Sequence, residues 1–369
     1  MTSHQGRSNV WQRVIPELAS ENRYLMHLLL ALGGIHMVKQ KVDASGTVRF
    51  GDSDTVDLAI IMEHHQRGLE GFREEVSRLS PSNAEAVFTG SLLVVAFAFA
   101  FLKIQDLNPL TRPTEEMSGA MADIPSTNSI PRLNWLYLNR GVTSVISDQW
   151  WVLKSSRIRQ ILALRSDDQS WADSSSHAPS RLSRCPPRIL RFAEGAHQAI
   201  TSIKDSLNMA EPTRDDLSSC SGTPTSQPSP SGTLEWAMDA HLETIRILES
   251  FYLRILSVLR CAVTEIDTSK EIQVDFEEAA ILSWPCSLPS AFLASLERSD
   301  SNSLHGYSLV ILAHFYLMNT LVDTWYMRGA FELEILRVNT LIESLDSSQL
   351  STFMLWPKEV MNLPLTSTS

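Results

Sequence analysis

The residues with the most chemical potential in this chain are its histidines, one arginine in apolar company, and a few paired carboxylates. His27 and His36 stand in one apolar stretch, YLMHLLLALGGIHMV (24–38), nine residues apart. At about 100° per residue on a helix they point to opposite sides, so they cannot hold one metal ion together. Each reads instead as a hydrogen-bonded core histidine. His64 and His65 are neighbours in sequence and diverge by about 100° on a helix, which predicts one buried and one exposed. His314 lies among Leu312, Phe315 and Tyr316 and again reads as a core histidine. Arg140 interrupts an apolar neighbourhood; a structural ion pair is the first expectation and an acidic ligand the second. Glu74–Glu75 and Glu277–Glu278 fall on polar surfaces.

No Gly-rich phosphate loop, G-x-S-x-G elbow, H-E-x-x-H pair, EF-hand loop or aspartate-rich diphosphate motif occurs in the sequence. An enzyme that needs only a shaped apolar pocket and one or two polar groups is still compatible with this. In that case His27, His314 and Arg140 are the acid–base and anchoring candidates. No metal set or cofactor motif is expected. The cysteines Cys185, Cys220, Cys261 and Cys286 are too far apart for a metal knuckle and read as reduced thiols.

The elements that must position these residues are helical. No period-2 strand pattern of useful length, repeat or long heptad is present. The 24–38 stretch is apolar on every side of the wheel, which predicts a central helix buried all round, entered through Asn22 as N-cap. Val10–Ala19 is a short helical lead. The 54–79 segment is amphipathic, with Leu58, Ile61, His65, Leu69, Phe72 and Val76 on one face. Ser82 and Glu85 have capping-box spacing ahead of a helix to about Lys103, whose Phe97, Phe99 and Phe101 belong to core or line a cavity. Helices are expected over 132–153 (stripe Trp135, Leu138, Val142, Val145 or Ile146, Trp150), 188–207, 234–262, 276–284, 305–326 and 331–345. Residues 1–9 and 361–369 are predicted disordered tails around a helical domain at 10–360. Loops interrupt it at 105–131, which is rich in proline, and at 208–233, which is mostly Ser, Thr, Pro and Gly.

A hydrophobic fraction of 43% supplies a core, and a formal charge of -11 opposes non-specific attraction to nucleic acid or anionic lipid. The longest unbroken apolar run, Leu92–Leu102, is too short to span a bilayer, so no membrane span is expected. Nothing separates a nuclear from a cytoplasmic location.

Four stretches together carry a resemblance. VIPELASENRYLMHLLLALGGIHM, HHQRGLEGFREEVSRLSPSNAEAVFTGSLLVVAFAFA, WLYLNRGVTSVISDQW, and WPCSLPSAFLASL followed by YSLVILAHFYLMNTLVDTWYMRGAFELEI occur in this order. They resemble the fungal-specific regulatory domain that accompanies zinc binuclear clusters, in the branch of sterol uptake control proteins. The resemblance implies an all-α bundle with an apolar pocket for a sterol- or terpenoid-like molecule, and a role in transcription regulation, including that of secondary metabolism. It also implies that DNA contact belongs to a six-cysteine cluster. This sequence has no cysteine before Cys185, so direct nucleic-acid binding is not expected of it. Pocket residues expected on that basis are Met26, Phe97, Phe101, Trp135, Tyr316 and Trp325, with His27, Arg140 or His314 as polar anchors. Two alternatives stand beside it: a cyclase or isomerase using the same pocket, and an interaction module that forms a homodimer or pairs with a zinc-cluster regulator.

Overall fold

The computed structural model describes residues 8–45, 58–105, 131–161, 185–209, 230–260, 284–297 and 303–365. Among them the chain is all-α. A π-helical turn, Val10–Val14, leads into α1 (Ile15–Glu21), α2 (Arg23–Ser45), α3 (Leu58–Ser77), α4 (Ala84–Gln105) and α5 (Asn134–Lys154). Then come α6 (Pro187–Met209), α7 (Pro230–Arg260), α8 (Trp284–Ser287), α9 (Ser290–Glu297), α10 (Ser303–Asn319) and α11 (Ala330–Ser344). Two short helices, α12 (Ser348–Phe353) and α13 (Leu355–Met361), finish it. Most of the expected 276–284 helix and nearly all of both polar loops lie outside the described residues. The helices reach further into those loops than predicted, with α6 running to Met209 and α7 starting at Pro230.

In the first half α2 packs on α1, α3 and α4, and α4 carries α5. In the second half α10 is the hub, touching α7, α9, α11 and α13. The halves meet where α4 packs on α11 and α5 on α8. The α2–α3 crossing is close because three glycines face it. A Cβ added to Gly68 would lie 2.6 Å from Leu28 Cδ2 and 3.0 Å from the Leu28 backbone nitrogen, so only a glycine admits α2 at this distance. Gly34 meets Ile61 and Gly71 meets Tyr24 in the same way.

Several expectations are corrected here. The helix buried on all sides is α10, where every described residue except His305 is buried; α2 leaves Leu30, Gly33 and Met37 in solvent. Helix α4 is long and apolar enough to cross a membrane, unlike the run Leu92–Leu102 alone, but it is mostly buried against its neighbours and serves as core. Asn22 joins α1 to α2, and its side-chain amide donates to Leu18 O at 2.9 Å, closing the helix before it. The capping box does not form: Glu85 accepts from the backbone N–H and Nε of Arg157, at 2.8 and 3.1 Å, in a charge-assisted pair. In α5 Leu138 is exposed and Asn139 is buried in its place, one position round the helix.

The tail predicted disordered from 361 is anchored as far as Leu365 is described. Arg188 Nε donates to Leu363 O at 2.8 Å and Nη2 to Met361 O at 2.7 Å, while its Nη1 reaches Thr320 O and Glu332. One planar guanidinium thus ties α6, the end of α10, α11 and the C-terminal segment. The turn before α11 contains Gly329 at φ 80°, and the buried Lys39 of α2 donates to its neighbour Arg328 O at 2.8 Å.

Candidate functional site

Two of the histidines meet between helices. His27 Nδ1 of α2 and His64 Nδ1 of α3 are 2.8 Å apart. Both rings are half-buried. Burial holds the His27 pKa below its ordinary value, and the neighbouring His64, Arg23 and Arg67 push the same way, with Glu63 opposing them. The next residue, His65, turns inward and stacks on Phe97 at 3.8 Å between ring centroids. Burial lowers its pKa to about 4, so it is neutral at pH 7. The pair is therefore not split into one buried and one exposed ring: the divergence by 100° sends His64 to the half-buried His27 and His65 to the buried Phe97.

His27 also lines a cleft of about 420 Å³ where α1, α2 and α3 come together. Arg23 and Arg67 stand on its walls with Glu21, Glu74 and Glu75, and Tyr24 and Gly71 complete it. This is a charged surface cleft. It suits a polar or charged group far better than a sterol skeleton, whose burial needs an apolar lining.

The remaining expected site residues are distributed over the core and do not converge with His27. Met26 is partly buried on α2. Phe97 and Phe101 stack on each other at 5.7 Å. Trp135 and Tyr316 meet at 5.9 Å within a ring cluster completed by Phe99, Trp284 and Phe331. Trp325 lies against His36 with the ring centroids 4.2 Å apart and the planes tilted. Arg140 donates through Nη1 to Pro285 O at 3.1 Å and Leu288 O at 2.9 Å, so carbonyls around α8 take the place of the expected ion pair. His314 lies against Trp356, and its Nδ1 donates to Val310 O at 2.8 Å. Burial lowers its pKa to about 4, and that hydrogen bond only partly opposes the shift.

Two arrangements escaped the sequence reading. The His27–His64 contact joins residues 37 positions apart, and periodicity within one helix carries no register between two. His241 on α7 places Nε2 2.7 Å from Ser308 Oγ on α10, the spacing of a nucleophile and its base. Both residues are completely buried, and Ser308 also bonds Ser295 Oγ and Leu304 O. Among the described residues this serine is part of a polar knot shut off from solvent. Among the described residues no three His, Cys, Asp or Glu side chains gather as a metal site.

Comparison with known proteins finds similarity to one family in the first half of the chain. Residues 1–164 match the fungal specific transcription factor domain, a segment that ends ten residues beyond α5. A Zn(2)-C6 fungal-type transcription factor of Gibberella zeae is 22% identical over 221 residues, covering 55% of this chain and 40% of the relative. Sterol uptake control protein 2 of Candida albicans is 21% identical over 159 residues (42% and 18%), and its namesake in Saccharomyces cerevisiae is 22% identical over 159 residues (43% and 14%). The chain thus spans well under half the length of these relatives. No solved structure matches it. Through its first 164 residues the chain is similar to the fungal specific transcription factor domain.

Proposed function

We propose that this chain is the helical regulatory part of a fungal-type transcriptional regulator and works in the nucleus. The observation that carries the reading is where the family match falls. It covers α1 to α5, the half that contains the glycine-lined α2–α3 crossing, the histidine contact and the charged cleft. DNA contact then belongs to another chain or another segment, in keeping with the net charge of -11. Joining the chain to an unrelated DNA-binding domain upstream of a reporter tests this. Reporter output is expected to change at least several-fold relative to the DNA-binding domain alone; unchanged output from a folded, nuclear fusion contradicts it.

The finer proposal is that the regulator senses a hydrophobic small molecule, sterol- or terpenoid-like. Two relatives are named for control of sterol uptake. In the core, Asn319 Nδ2 and Thr324 Oγ1 are buried without hydrogen-bond partners, and Trp135 Nε1 and Tyr316 Oη have none beyond their contact with each other. Each such atom costs about 1–3 kcal/mol, which a ligand hydroxyl in the aromatic cluster would offset. The cluster is closed, so binding must open it. A sterol bound there is expected to quench tryptophan fluorescence in the native chain and not in a Tyr316→Phe, Thr324→Val double variant. Equal quenching in both would contradict the assignment.

A further inference from the structure

The histidine contact has a geometry that fixes what it can do. The ring centroids are 5.1 Å apart while the two Nδ1 atoms are 2.8 Å apart. A ring nitrogen lies about 1.2 Å from the imidazole centroid, so both nitrogens sit almost on the line joining the rings. That is the head-on arrangement of a single N–H···N hydrogen bond. Two rings chelating one ion would instead turn their nitrogens toward a common point beside that line. The bond needs one ring that carries a proton on Nδ1 and one that does not. When both rings are neutral they must adopt opposite tautomers. With one ring charged the bond persists, donated by the imidazolium. With both charged, two N–H groups face each other.

We infer that His27 and His64 form a proton-operated latch that holds α2 to α3 until both rings are charged. The groups around it set its working range. Arg23 on α2 and Arg67 on α3 oppose the second proton, and Glu63 on α3 favours it. Glu21 of α1 and Glu74 and Glu75 of α3 share the cleft that His27 lines. The half-burial of both rings leaves them open to solvent protons. Leu30 lies one turn beyond His27, and Ile60 one turn before His64. These two exposed side chains therefore continue the row that the latch begins, at 48% and 53% exposure. Release separates this row and changes the face that α2 and α3 present together. The latch is independent of whether the chain regulates transcription.

The test is NMR of the full chain with 15N-labelled histidine, followed from pH 8 to pH 4. Near pH 8 one of the two rings is expected in the Nδ1–H form and the other in the Nε2–H form. The pair then titrates in two steps more than one pH unit apart, as a coupled pair. Across the second step, hydrogen-exchange protection along α2 and α3 falls about tenfold relative to that of α10. In His64→Ala, His27 titrates in one step and the acid-dependent loss of protection on α2 disappears. Two rings in mixed tautomers that titrate together in a single step in the native chain would overturn the latch. So would protection on α2 and α3 that tracks α10 across the whole range.

Discussion

Replacing Trp135 by alanine is expected to lower the free energy of unfolding by about 3–5 kcal/mol. The ring is 2% exposed. It lies 5.2 Å from Phe99, 5.3 Å from Phe331, 5.4 Å from Trp284 and 5.9 Å from Tyr316, with edge-on contacts to Trp284 and Phe331. These rings come from α4, α5, α8, α10 and α11, so the loss falls where the two halves of the molecule join. Little can collapse into the void, since each neighbour is held by its own helix. Trp151→Ala is the control: that ring is 79% exposed, and its removal is expected to cost within about 0.5 kcal/mol. Urea unfolding of the two variants measures both. A cost under about 1 kcal/mol for Trp135→Ala would mean that the ring borders an open cavity and not a packed core.

Acid sensitivity is the second large effect, and it centres on His314. The folded chain holds this ring neutral down to about 4, whereas an unfolded histidine takes its proton near 6.5. Between those values the unfolded state binds more protons, so stability falls as pH falls. Above pH 6.5 the penalty is absent, and below about 4 it is complete, at about 3 kcal/mol. His314→Leu removes the titrating group and leaves the helix backbone bond of Val310 O in place. The variant is expected to lose about 3 kcal/mol less than the native chain between pH 7 and pH 4. His65 shifts the same way and remains in both proteins. Chemical denaturation at a series of pH values decides it: parallel curves for the two proteins would show that His314 is not held neutral.

The helical class and most helix positions were legible because a 3.6-residue apolar period survives any arrangement of neighbours. In α3 the predicted face put Ile61, Leu69 and Phe72 inward, and only Val76, at the helix end, stays exposed. Composition indicates how much surface a helix can bury but not whether a partner exists for each side. For that reason α2 was read as wholly buried, while Leu30 and Met37 are exposed among the described residues. The docked C-terminus was hidden for a related reason. Its anchor is Arg188, and Trp356 is held by Phe192 and Tyr252, all more than a hundred residues earlier. At the candidate site the histidines were recognised as notable, yet the partner of each depends on helix register. His27 found His64, His36 found Trp325, and His65 found Phe97.

The measurement that bears most directly on the regulatory reading is the tethered reporter, run with the native chain beside the Trp135→Ala variant and with nuclear abundance matched. The account predicts a several-fold change in reporter output from the native chain and loss of that change when the core is broken. Reporter output equal to that of the DNA-binding domain alone, from a native fusion whose far-UV circular dichroism is fully helical, would contradict it.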